Sequence, residues 1–126
     1  MVRITKVHTG AGDGGQTRLL DGTVVGKEHP RVRLYGTIDE VNSQIGVVRM
    51  ELNRMPGIPM DARNSADEAM GRIQQELFDI GGECSCTPGK LPKQMVLIGS
   101  DAGERLVTEM DSWLEDIEPL ESFIMP

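Results

Sequence analysis

Tyr35, Ile38, Val41, Ile45, Val48 and Leu52 recur at spacings of three and four residues. That period places all six on one stripe of an α-helix. The predicted helix runs from about Val32 to Asn53 and stops before Pro56-Gly57; at 1.5 Å per residue it is roughly 30 Å long, the length of a bundle helix. Gly36 near its start costs about 1 kcal/mol relative to alanine, so it serves either close packing or ligand approach. A second stripe, Met70, Ile73, Leu77 and Ile80, with Cys84 as a further candidate, follows a predicted capping box at Ser65-Ala66-Asp67-Glu68. Gly81-Gly82 predicts fraying near its end. A third stripe, Leu106, Met110, Trp113 and Ile117, begins after Asp101 as cap, with Glu104 three residues on, and is closed by Pro119. Three amphipathic helices with these spacings predict an all-α, antiparallel bundle in one domain. Met55–Arg63 makes the first connection and Thr87–Gly99 the second, the latter with a candidate short strand at Met95–Ile98 that has no evident partner. Three helices alone leave the first poorly covered.

Ahead of the bundle, Thr9 to Thr17 reads Thr-Gly-Ala-Gly-Asp-Gly-Gly-Gln-Thr. Glycine reaches φ > 0 and lets backbone N–H groups approach a ligand that a Cβ would push away. Successive inward N–H groups form an anion-binding concavity; the competing reading is a flexible surface loop. Neither G-x-G-x-x-G nor G-x-x-x-x-G-K-[ST] is present. Charge favours the anion. Residues 1–33 carry a net charge of +3, from Arg3, Lys6, Arg18, Lys27, Arg31 and Arg33 against Asp13, Asp21 and Glu28, while the remainder carries −10. A basic, glycine-rich arm on an acidic body suits a compact polyanion such as a nucleoside triphosphate.

The same balance excludes a nucleic-acid footprint, which needs a wide basic face. Four aromatic residues, Tyr35, Phe78, Trp113 and Phe123, make no base-stacking platform. No apolar run approaches the roughly 20 residues of a membrane span, and the first residues lack the apolar stretch of a secretory signal. These features predict a cytoplasmic protein. Cys84 and Cys86 lie too far from other thiols or histidines to complete a zinc site and read as reduced cysteines, one of them packed; no resident metal site is predicted.

Five separated motifs fall in one order: T-x-x-G-D-x-G-x-T at Thr9–Thr17; Lys27 with His29-Pro30-Arg31-Val32; Tyr35-Gly36-Thr37-Ile38-Asp39-Glu40-Val41-Asn42-Ser43; Ile73-Gln74-Gln75-Glu76-Leu77-Phe78-Asp79-Ile80-Gly81; and Phe123-Ile124-Met125-Pro126. In this, nearly the whole chain resembles the PduO-type ATP:cob(I)alamin adenosyltransferases. The resemblance implies a ferritin-like bundle of about five helices, a homotrimer, and ATP between neighbouring subunits. It implies an ATP-binding arm at residues 1–31 and an incomplete helical bundle at 32–126. In the arm, Gly10, Gly12, Asp13, Gly15, Thr17 and Arg18 would surround the triphosphate, with Thr9 at the entry, Lys27 reaching the phosphates and Mg2+ offsetting charge. Asp39 matches a carboxylate that pairs with an arginine and orders the site. Asn42, one turn on, is either a companion site residue or a polar residue facing solvent. Phe123 matches the phenylalanine that packs under the corrin ring and displaces its lower axial ligand. The implied reaction is attack of cob(I)alamin on the 5′ carbon of ATP, giving adenosylcobalamin and triphosphate. A reductase and an adenosylcobalamin-dependent mutase are the implied partners.

Two departures qualify the match. Gly10 and Gly14 stand where the family often carries lysine or arginine. The family also continues beyond the closing proline with two further helices, so an incomplete site with little turnover of its own is expected. The alternative function is a catalytically inactive ATP- or corrinoid-binding module acting as sensor or carrier.

Overall fold

The computed structural model describes residues 5–125. A hairpin precedes three helices: β1 (Gln16–Arg18), β2 (Val24–Gly26), α1 (Pro30–Arg54), α2 (Met60–Cys84) and α3 (Asp101–Leu114). The strands pair antiparallel with Thr17 opposite Val25. Gly22 turns the chain between them with φ +86°, and its N–H donates to the Leu19 carbonyl at 2.9 Å. These two strands are a feature the helical periodicity does not reveal, although Asp21-Gly22 flanked by Leu19-Leu20 and Val24-Val25 is a hairpin signal. The predicted bundle helices are all present.

Helix boundaries shift for identifiable reasons. α1 begins two residues before the predicted start at Val32 because His29 caps it, Nδ1 accepting the Arg31 N–H at 3.2 Å, with proline at the first helical position. α2 begins at Met60, five residues before Ser65. The predicted capping box is therefore helix interior. Pro59 starts the helix, and Arg63 in its first turn donates to the Leu52 carbonyl at 2.8 Å and the Met55 carbonyl at 2.7 Å. One guanidinium thus satisfies the orphan carbonyls that end α1 and secures the start of α2. Gly81-Gly82 does not fray: the helix continues through Cys84, and a Cβ at Gly81 would sit 3.9 Å from Ile38 of α1. Met95–Ile98 forms no strand; the Ile98 N–H is held instead by Glu83 Oε1 at 2.6 Å. α3 ends at Leu114, before Ile117 and Pro119.

α1 and α2 pack along their length. Asn42 Nδ2 donates to the Gln74 carbonyl and Gln74 Nε2 to the Asn42 carbonyl, both at 3.0 Å. Arg49 grips Asp67 with two bonds of 2.8 and 2.9 Å and donates a third, 2.8 Å, to Gln74 Oε1. α3 is tied to α2 by charge: Arg72 pairs with Glu109, and Arg105 Nη1 lies 3.5 Å from Glu76. Among the described residues, the buried apolar side chains are Leu19, Ala69, Cys86 and Ala102; α1 contributes none. Val41, Val47, Val48 and Phe78 remain exposed. No helix among the described residues is long and apolar enough to cross a membrane.

The Arg49 hydrogen bonds hold the Asp67 carboxyl below its ordinary 3.8. A depressed folded-state value contributes stability above the unfolded value, lost as pH falls through the folded one. Asp67→Asn is therefore expected to lower the thermal midpoint at neutral pH and to flatten its decline below about pH 4, measured by thermal unfolding followed by circular dichroism. Partial exposure of both side chains keeps the effect modest.

Candidate functional site

The glycine loop is built by its own backbone. Gly10 (φ +67°) and Gly15 (φ +80°) occupy left-handed conformations that L side chains resist. Between them the Asp13 N–H donates to the Gly10 carbonyl and the Gly15 N–H to the Gly12 carbonyl, each at 3.1 Å. The Thr9 hydroxyl accepts the Ala11 N–H at 3.4 Å. The Lys27 N–H donates to the Gly15 carbonyl at 2.9 Å, which closes the loop onto the far end of the hairpin. A Cβ on Gly12 would lie 3.0 Å from Lys27 Cε and 3.1 Å from its Nζ. The ammonium therefore lies close against the glycine backbone, and a side chain at Gly12 would push it aside by a few tenths of an ångström.

Beside it lies a hollow of about 420 Å³ lined by Ala11, Gly12, Gln16, Thr17, Arg18 and Val24. It brings Gly12, Thr17 and Arg18 together. The Arg18 guanidinium is held by the Gly22 carbonyl at 3.3 Å. Gln16 and Val24 were not singled out from sequence; their place follows from the hairpin register.

A second, apolar cleft of about 660 Å³ opens between α1 and α2, with Asp39 and Asn42 on one wall and Leu77, Phe78 and Gly81 on the other. Leu20, Tyr35 and Met95 also line it. Asn42 does not simply face solvent, since its amide is committed to α2. Phe123 lines neither cavity and is 95% exposed. Among the described residues no cluster of three or more His, Cys, Asp or Glu could hold a metal. Asp13 is the only carboxylate of the glycine loop.

Asp21 was missed. Its Oδ1 accepts the Thr23 N–H at 2.8 Å and its Oδ2 the Thr87 N–H at 2.6 Å. Hydrogen bonds from the hydroxyls of Thr23 and Thr87, then from their amides, hold this carboxyl well below the usual carboxylate range.

A family model described as cobalamin adenosyltransferase matches residues 7–126. The chain belongs to the cobalamin adenosyltransferase family. It is 36% identical to the cobalamin adenosyltransferase of Cupriavidus metallidurans over 98% of its own length and 60% of that protein. It is 34% identical to the corrinoid adenosyltransferase of Bacillus subtilis, covering 96% of this chain and 58% of the relative. Among solved structures it resembles a Phe-to-Ala variant of the PduO-type ATP:corrinoid adenosyltransferase from Lactobacillus reuteri, complexed with cobalamin and ATP. The TM-score there is 0.79 at 26% identity, over 96% of this chain and 63% of that one. An Arg-to-Lys variant from the same organism, complexed with ATP, gives 0.75 at 28% identity over 95% and 62%. The chain thus spans about 60% of the length of the relatives it matches, and its helical fold is similar to that part of the two solved structures.

Proposed function

We propose that the chain supplies ATP- and corrinoid-binding parts of an ATP:cob(I)alamin adenosyltransferase. The observation that carries this reading is the Lys27 ammonium lying across Gly12 beside the hollow of Gly12, Thr17 and Arg18. Two cationic side chains beside a glycine backbone are what a triphosphate needs. The family match and the two neighbouring complexes support the substrates.

In this reading the arm binds the triphosphate, and Thr9, Gly10, Asp13 and Gly15 hold its loop in shape. Magnesium binds chiefly through the phosphates, with Asp13 as the one carboxylate of the loop able to reach it, in keeping with that ion's retention of water and few protein ligands. Asp39 and Asn42 stand in the cleft, where Asp39 receives an arginine partner. Cob(I)alamin attacks the 5′ carbon of ATP; the new Co–C bond takes the metal's electron pair, and triphosphate leaves with the C–O bond pair. The chain contributes orientation, charge stabilisation and exclusion of water. Phe123 supplies an apolar face to the corrin. A homotrimer would bury the exposed valines of α1, and a reductase and a mutase would deliver and use the corrinoid.

Calorimetric titration of the chain with Mg-ATP, tripolyphosphate and adenosine tests the reading. ATP and tripolyphosphate are expected to bind saturably and to compete, with adenosine far weaker; absence of saturable ATP heat overturns it. The glycine departures can be tested in the same way. Gly14 has open space around a Cβ and no left-handed φ, whereas Gly10 has φ +67°. Gly14→Lys is expected to tighten ATP about two- to fivefold, the range of one exposed ion pair, without loss of stability. Gly10→Lys is expected to cost about 1–2 kcal/mol of folding stability from left-handed strain, read as a lower thermal midpoint.

A further inference from the structure

One short segment connects the hollow and the cleft. Arg18 lines the hollow and Leu20, two residues on, lines the cleft. This segment is fastened to the end of α2 and the residues just after it. The Leu20 N–H donates to the Ser85 carbonyl at 3.0 Å, and Ser85 itself lines the cleft. The Asp21 carboxylate joins Thr23 in its own turn to Thr87, 66 residues away. The Thr23 and Thr87 hydroxyls face each other at 3.4 Å. In the first turn of α1, Arg31 Nη1 donates to the Cys84 carbonyl at 3.1 Å. The turn is closed by bonds of its own, Gly22 N–H to Leu19 and Leu19 N–H to Thr23, so it does not need Asp21 to exist. Asp21 adds a side-chain bond to Thr87 beside the Leu20–Ser85 backbone bond that docks the turn.

We propose that Asp21 is a positioning residue whose carboxylate latches the phosphate-gripping hairpin to the chain after α2, fixing the separation between the hollow and the cleft. The proposal rests on the nucleotide reading above. Both carboxylate oxygens accept N–H groups of the chain itself, and Asp21 lines neither cavity. A ligand that fills both cavities benefits from their fixed separation; a ligand confined to the hollow does not.

The test compares wild type with Asp21→Ala and Asp21→Asn in two measurements. In amide hydrogen exchange on the free protein, Thr87, Leu20 and hairpin amides are expected to exchange about tenfold faster in Asp21→Ala, with Ile45 and Ile73 unchanged. In titration, the Kd for Mg-ATP is expected to rise about tenfold while that for tripolyphosphate changes less than about threefold, because only the longer ligand uses the fixed separation. Asp21→Asn, which keeps one acceptor, is expected to fall between. Unchanged exchange at Thr87 overturns the latch. Equal weakening of both ligands, or faster exchange throughout α1 and α2, reduces Asp21 to general structure and overturns the positioning role. A wild type that binds neither ligand defeats the nucleotide reading instead, while the exchange result still decides the latch.

Discussion

Lys27→Ala is expected to weaken Mg-ATP binding by about tenfold or more, the loss of one charge-assisted hydrogen bond to phosphate. The effect should appear equally with tripolyphosphate, since the ammonium lies over Gly12 at the hollow and away from the apolar cleft. Folding should be untouched: the side chain is exposed and makes no hydrogen bond among the described residues. The Lys27 backbone N–H, which closes the loop on Gly15, survives the substitution. Calorimetry gives the affinity and circular dichroism the stability. Undiminished triphosphate affinity would remove the charge on which the functional reading depends.

The largest stability effect is expected from Leu19→Ala. Leu19 is only 4% exposed, and the buried apolar set of the described residues is otherwise alanine and cysteine. Removing a buried leucine side chain costs about 2–5 kcal/mol, a sizeable share of the roughly 5–15 kcal/mol that holds a domain folded. The thermal midpoint should fall on the order of 10 °C. Phe123→Ala, at 95% exposure, should leave it unchanged and serves as the contrast. An unaltered midpoint in Leu19→Ala would mean that the hairpin does not share in the cooperative core.

The helices were legible because their signal is local. The stripe from Tyr35 to Leu52 needs only neighbours three and four residues away, and it located α1 to within two residues at its start. Ser65 misled because a capping box describes a helix in isolation; Arg63, reaching back to Leu52 and Met55, starts α2 earlier by a tertiary contact. The hairpin was hidden in a segment read only for its glycines, although Asp21-Gly22 announced the turn. Asn42 and Gln74 are 32 residues apart, and nothing local in either marks their pairing. The hollow was partly foreseen, because Gly12, Thr17 and Arg18 lie in one motif. The cleft was not, because its walls come from the arm, both long helices and the loop after α2.

The two ends of the candidate site are held to different mechanical tolerances. Short backbone bonds and a doubly bonded carboxylate seat the arm, and these leave it little play. α3, by contrast, is held to α2 by arginine and glutamate side chains with several rotatable bonds each, and buries Ala102 alone among its residues. Such tethers fix proximity but not orientation. Phe123 lies beyond them on the chain, and at 95% exposure its ring takes no orientation from the other described residues.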